Sequence, residues 1–236
     1  MAGDGRERER AAMVERVAEL FAETAAQTGL PALDPRVRAA LESVPRHRFV
    51  PDTWADAAYD DAALAIGRGQ TISQPFIVAL SVQLAEVGPD ATVLEVGAGS
   101  GYQAAVLARL ARRVYAIEIV PELAARAAAT LAALGVQNAQ VRAGDGHAGW
   151  PAHAPFDAIV VAAAAREPPP PLVAQLAPGG RMVVPVGPPG GRQDLLQLRR
   201  DAAGAVATVA RLAVSFVPFT RAAPGGGGDA SGPGEG

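Results

Sequence analysis

The sequence predicts an α/β fold: a doubly wound, mostly parallel sheet with helices on both faces and a small N-terminal helical cap. Three observations carry that expectation. Residues 93–96 are a short apolar strand that runs into glycines at 97, 99 and 101, and Ala104, Ala105, Leu107 and Ala108 then continue at helical spacing. Beyond this turn, strands and helices alternate in lengths suited to parallel crossover units. Before it, Met13, Val14, Val17, Leu20 and Phe21 recur as one face of an amphipathic helix.

Bulk composition narrows the possibilities. A chain of 236 residues has room for one substantial core, or for one core with a small addition. Half the residues are apolar and 5% are aromatic, so that core must be built from Ala, Val and Leu. Net charge is −3 and every cation is an arginine, which gives no basic groove and argues against a nucleic-acid partner. The absence of cysteine excludes disulfides and thiolate metal sites, and His47, His147 and His153 stand too far apart for a metal spacing, so no metal is expected. The charged start Arg6-Glu7-Arg8-Glu9-Arg10 precedes no long apolar run, so neither a signal peptide nor a membrane span is expected, and the default location is the cytoplasm.

Taken in order, residues 1–6 read as disordered, and a helix spans 7 to about 27, ended near Gly29 and Pro31. Asp34-Pro35 reads as a cap followed by proline in the first turn of a second helix through Val37 and Leu41. Residues 44–75 show no clear period, yet their Phe, Trp, Tyr and Ile residues indicate a packed segment of functional character, and with the two helices they make up a cap and substrate-side unit over 7–75. The α/β domain then spans 76–221. A helix is expected from Pro75 to Glu86 with Phe76, Ala79, Leu80, Gln83 and Leu84 on one face. Strands follow at 93–96, 113–118, 140–142, 156–161 and 181–186, with helices at 121–134 and from the proline cluster 168–171 through Leu176. Strands at 194–199 and 209–217 flank a turn at 201–204 and should close the sheet as an antiparallel hairpin, while 222–236 reads as a flexible glycine-rich tail.

In open α/β sheets, ligands bind beyond the carboxyl ends of the strands. Four features collect there. The first is the glycine turn, whose backbone admits close approach and whose helix start offers unpaired N–H groups. A dinucleotide fingerprint would place its third glycine where Tyr102 stands, and the acid Glu95 lies two residues before Gly97. Glu118 ends the second strand, where a carboxylate can accept two ribose hydroxyls. Asp145, between Gly144 and Gly146, is placed to receive an adenine amino group, with a plain turn role as its alternative. Ala162 to Ala165 follow the fourth strand with side chains too small to obstruct a ligand.

The pattern acid-x-Gly-x-Gly-x-Gly resembles motif I of class I S-adenosylmethionine-dependent methyltransferases, with Glu95 placed for the ammonium of the cofactor. A second segment narrows the resemblance. Gly69-Gln70-Thr71-Ile72-Ser73-Gln74-Pro75, preceded by Val44-Pro45-Arg46 and Phe49-Val50-Pro51, is similar to the protein-L-isoaspartate (D-aspartate) O-methyltransferase family. The similarity continues through Leu94 to Gln103, Gly144-Asp145-Gly146, Ala154 to Ile159, Pro178-Gly179-Gly180-Arg181, Val184-Pro185-Val186-Gly187 and Phe216-Val217-Pro218, over roughly residues 10–220.

That resemblance implies a Rossmann-like class I fold. It also implies methyl transfer from S-adenosylmethionine to the free α-carboxylate of L-isoaspartyl residues in damaged proteins, with D-aspartyl residues in the family's range. It assigns the cofactor to Gln70, Thr71, Glu95, Gly97, Ala98, Gly99, Ser100, Gly101, Tyr102, Glu118, Asp145 and Gly146. It makes Ser73 the active-site residue, and it gives the substrate to Ile72, Ser73 and backbone groups around Ala163, Ala164 and Val217, which would pair with it as an added strand. Ser73 is expected to aim the carboxylate, with capping of the following helix as its alternative role. Its surroundings lack the G-x-S-x-G elbow of a hydrolase. The competing readings are a class I methyltransferase with a small-molecule or RNA acceptor and a non-catalytic isoaspartyl-binding relative. Two departures stand out: the family's proline after the Ala-Ala pair is replaced by Ala165-Arg166, and Val78 stands where some eukaryotic relatives carry His. A monomer is expected.

Overall fold

The computed structural model describes residues 5–188 and 190–220, so the expectations for residues 1–4 and for the tail from 222 lie outside it. Arg6, expected in a disordered stretch, is engaged: its guanidinium donates to Ala55 O at 2.6 Å and to Asp56 Oδ1 at 3.0 Å.

The N-terminal region consists of α1 (Glu7–Glu23), the single turn α2 (Ala25–Thr28) and α3 (Pro35–Ser43). α1 buries Met13, Val14, Val17 and Phe21, the face its spacing predicts. It stops before Gln27 at Thr24, whose Oγ1 turns back onto Leu20 O at 2.7 Å. α3 begins as read, with Asp34 accepting from Arg36 N at 2.7 Å and Pro35 in the first turn.

Residues 44–75 hold more order than their sequence suggests. Two 3-10 turns (Arg46–Phe49 and Asp52–Trp54) lead to a hairpin of β1 (Leu64–Gly67) and β2 (Gln70–Ile72). Gly67 pairs with Gln70, which leaves Arg68 (φ 55°) and Gly69 (φ 71°) as a two-residue turn with both centres left-handed, the geometry that matches strand twist. α4 (Pro75–Leu84) is buried around nearly its whole circumference rather than on one face, because α1, α3 and the sheet enclose it.

The main sheet contains β3 (Thr92–Val96), β4 (Arg113–Glu118), β5 (Ala139–Ala143), β6 (Phe156–Val161), β7 (Leu176–Val186), β8 (Gln193–Arg200) and β9 (Val206–Val214), in the order β5-β4-β3-β6-β7-β8-β9. The first five strands of the sheet run parallel, and β8 and β9 close it antiparallel, as expected. α5 (Tyr102–Ala108), α6 (Pro121–Ala133) and α7 (Pro170–Ala174) connect them. Strand residues alternate between two apolar clusters: Val93, Ala158, Val160 and Val183 pack with Phe21, Leu80, Leu107 and Leu123, whereas Leu94, Ile159, Met182 and Val184 pack with Leu172 and Trp150. The first cluster is continuous from α1 through α4 to the sheet, so the cap shares the core of the α/β unit.

Two expectations at the sheet's far side are corrected. The helix after the prolines ends at Ala174, and Leu176 already pairs with Phe156; Pro178-Gly179-Gly180 then forms a bulge before Arg181 meets Ala158. β9 ends at Val214, so Val217 lies on the following segment, which leaves the sheet and crosses the strand ends with Pro218 bridging Ala164. The order of strands reverses at β3 and β6, so the loops after them part and open a crevice.

Candidate active site

The crevice is a cavity with about 760 Å³ of atom-free space, part of it open to solvent. The glycine turn forms its floor. Gly97 N and Ala98 N donate to Ile117 O at 2.8 and 3.1 Å, tying the turn to β4, and Gly101 closes it with φ 85°. A Cβ on Gly101 would sit 3.0 Å from Ala127 Cβ, so the turn is pinned against α6 and only glycine fits without strain.

Glu118 holds this turn from the next strand: its Oε2 accepts Gly99 N at 2.7 Å and its Oε1 accepts Val120 N at 3.0 Å. Both oxygens keep further lone pairs for hydroxyl donors. Asp145 accepts His147 N at 2.8 Å and caps the 3-10 turn Gly146–Ala148, the plain turn role left open for it, and it does not line the cavity. Gly146 does line it, and so closely that an added Cβ would lie 2.3 Å from Val96 Cγ1.

Glu95 gives the sharpest account of what the cavity holds. It is buried, its Oε1 accepts Gln103 Nε2 at 3.1 Å, and its Oε2 is enclosed with no hydrogen-bond partner among the described residues. Burial pushes its carboxyl up to about 8, against the pull of Gln103, and Glu118 adds to the rise. A carboxylate at the cavity wall with one unsatisfied oxygen fits the ammonium of an amino-acid moiety, which would supply the missing donor and draw off the proton. The residues therefore fit S-adenosylmethionine: Glu95 for the ammonium, Glu118 for the ribose, the glycine turn between them.

The β1–β2 hairpin forms the opposite wall, bringing Gln70, Thr71, Ile72 and Ser73 to the cavity. It is clipped to α6, where Arg126 Nη2 donates to Ile66 O at 2.6 Å and Arg68 pairs with Glu122 at 2.9 Å. Ser73 does not cap α4; its N-cap is Gln74, and the helix's Phe76 N is taken by Asp61 Oδ1 at 2.8 Å. Thr71, Ser73, Ala162 and Val217 also border an adjoining groove walled by Phe76, Ile77, Leu212 and Phe216. Ser73 thus stands where the enclosed cavity meets an open groove.

The expected strand-addition edge is altered. Ala164 N donates to Val217 O at 2.8 Å and Phe219 N to Ala164 O at 2.9 Å, so these groups already pair with each other. Ala163 and Val217 line the cavity, whereas Gly101 and Ala164 stand behind it. Ala162 lines the cavity as expected, and Gln103, Ile119, Phe219 and Thr220 also line it but were not among the expected site residues. Ile119 follows Glu118 directly and was the most accessible of them; Phe219 and Thr220 arrive only through the crossing of the last segment.

A sheet of this order, with its glycine turn beneath two strand-end acids, defines a class I S-adenosylmethionine-dependent methyltransferase. The chain belongs to the protein-L-isoaspartate(D-aspartate) O-methyltransferase family, whose model matches residues 15–223. It is 54% identical to a protein-L-isoaspartate O-methyltransferase 2 of Polaromonas sp., over 88% of this chain and 99% of that protein. It is 52% identical to a protein of the same name from Syntrophobacter fumaroxidans, over 89% of this chain and 85% of that one. Among solved structures, a protein-L-isoaspartate O-methyltransferase superposes with a TM-score of 0.75 at 25% identity; the match covers 87% of this chain and 65% of that longer one. A Plasmodium falciparum protein described as of the same type, solved with S-adenosyl-L-homocysteine, shares the fold with a TM-score of 0.73 at 22% identity, over 90% and 99% of the two chains.

Proposed function

We propose that this chain transfers a methyl group from S-adenosylmethionine to the free α-carboxylate of L-isoaspartyl residues in damaged proteins and peptides, the first step of their return toward aspartate. The observation that carries the reading is Ser73 at the junction of cofactor cavity and open groove, in a member of this family. When bound, S-adenosylmethionine would supply an activated sulfonium methyl to the carboxylate oxygen, with the electron pair of the C–S bond left on sulfur and no proton transfer required of the protein.

Such chemistry asks little acid–base work of the protein. Glu95 would hold the ammonium of the cofactor and Glu118 its ribose, and the hairpin with the crossing segment excludes water around it. Ser73 Oγ donates a hydrogen bond that aims the carboxylate. The main-chain atoms of Ile72 and Ala163, beside Val217, line the path of the substrate. The methyl ester then cyclises to a succinimide without help from the enzyme, and hydrolysis gives aspartyl in part. The reading includes a monomer acting in the cytoplasm on proteins rather than nucleic acid. No helix among the described residues is long and apolar enough to cross a membrane.

The test is transfer of labelled methyl to synthetic peptides identical except for isoaspartyl, aspartyl or D-aspartyl at one position. Base-labile label on the isoaspartyl peptide and not on the aspartyl one is expected. Cofactor binding with no label on any peptide would sink the assignment.

A further inference from the structure

Arg46 is fully enclosed, at 0% exposure, and no carboxylate is among its hydrogen-bond partners. A cation taken out of water must be repaid by bonds, and Arg46 finds them in part on three main-chain carbonyls, its Nη1 being enclosed with no partner among the described residues. Its Nε donates to Ala58 O at 2.8 Å, and its Nη2 donates to Ser73 O at 2.8 Å and Ala62 O at 3.3 Å. The guanidinium also lies over the Tyr102 ring, 4.9 Å from its centroid, at the first residue of α5 beyond the glycine turn. Asp61 grips the next residues of the same segment, accepting Phe76 N at 2.8 Å and Gln74 Nε2 at 3.1 Å.

The carbonyl of Ser73 is thus held by a buried cation, the residues just after it are held by a carboxylate, and the cation also touches the helix that bears the cofactor turn. We propose that Arg46 and Asp61 are positioning residues for methyl transfer, fixing Ser73 and locking the substrate segment to the glycine turn. Neither lines the cofactor cavity, so each acts through a neighbour: Asp61 through the Gln74 to Phe76 segment that follows Ser73, Arg46 through Ser73 and Tyr102. A lysine cannot replace Arg46, because an ammonium lacks the planar fork that reaches three carbonyls at once. The proposal rests on the methyl-transfer reading above.

The experiment measures kcat and KM on the isoaspartyl peptide, with cofactor Kd by calorimetry, for the parent chain, Arg46→Lys, Asp61→Ala, Ser73→Ala and the Arg46→Lys/Ser73→Ala pair. Arg46→Lys is expected to lower kcat about 10- to 100-fold, as a displacement near 1 Å does, while cofactor Kd stays within about threefold. Asp61→Ala should show the same split with a loss of about three- to tenfold. Beside Ser73→Ala, the lysine should cost less than about threefold, because the group it positions is gone.

Multiplying losses in the pair, or parent-level kcat in Arg46→Lys, would overturn the proposal. Should Arg46→Lys show no cofactor-dependent thermal shift and so fail to fold, parent-level kcat in Asp61→Ala would overturn it instead. A parent chain that binds cofactor but leaves the isoaspartyl peptide unmethylated would remove the activity on which the proposal rests.

Discussion

Glu95 carries the pH behaviour of the site. Its folded carboxyl titrates near 8, chiefly through burial, against an ordinary 4.5. Between those values the folded chain without cofactor keeps a proton that the unfolded chain has lost, so stability falls as pH rises through that window and levels off above it. Cofactor affinity runs the other way, because the ammonium pairs with the charged carboxylate. It should climb toward pH 8 and fall beyond it as the ligand's own α-amino group, ordinarily at about 7.7–8.0, discharges. Calorimetric titration between about pH 6 and 9 should trace that maximum, and Glu95→Gln should flatten its acid limb. A flat profile in the parent chain would remove Glu95 from the ammonium's partners. Ser73→Ala should keep cofactor affinity and stability within about 0.5 kcal/mol and lower kcat about 10- to 100-fold; full turnover would deny Ser73 its aiming role. Glu95 was legible in the sequence by type and spacing and Ser73 through the family resemblance, whereas Arg46 was legible only as part of a motif. Nothing in Val44-Pro45-Arg46 says that a guanidinium will reach a carbonyl 27 positions later.

At the scale of elements, the glycine turn and the hairpin decide how the cofactor is held. Gly101→Ala puts a side chain at φ 85° and 3.0 Å from Ala127. It is expected to cost about 1–3 kcal/mol in urea unfolding and to weaken cofactor binding, since α5 must shift. Unchanged stability would mean that α6 yields freely. The hairpin is a two-stranded ribbon, a unit marginal by itself, and two arginines fasten it to its surroundings. Arg126→Ala removes the part-buried bond to Ile66 O, worth about 1.5–3 kcal/mol as a hydrogen bond from a charged group. It should speed amide exchange across 64–72 and weaken cofactor binding several-fold. Unaltered exchange there would show that packing of Ile66 and Ile72 suffices. The hairpin was missed because each strand is too short for a period, and its turn uses Arg68 rather than asparagine at a left-handed position. The strand ending at Glu118 matched its sequence to the residue, since the apolar run Val114 to Ile117 is bounded by Arg113 and Glu118.

For the molecule as a whole, cofactor binding and folding are one equilibrium. The cavity joins β3, β4, the hairpin and the last crossing segment, so a ligand that binds only this assembly stabilises all of it. At a hundredfold excess over Kd, S-adenosylmethionine should add about 2.7 kcal/mol and raise the melting temperature by about 5–10 °C. A bound cofactor with no thermal shift would mean that the elements around the cavity open independently. The sequence by itself determined the alternation of strands and helices, the parallel sheet with its antiparallel close, and, through the resemblance to motif I, the cofactor class. The fold follows from local period and from glycine where φ must be positive. Only the tertiary structure decided that Asp145 turns inward to its own 3-10 turn, that Ala164 and Val217 pair with each other, and that Ser73 is freed from capping by Asp61 and gripped by Arg46. The last two outcomes depend on groups that lie far apart in the chain and meet only in the folded state, and local sequence carries no record of that encounter.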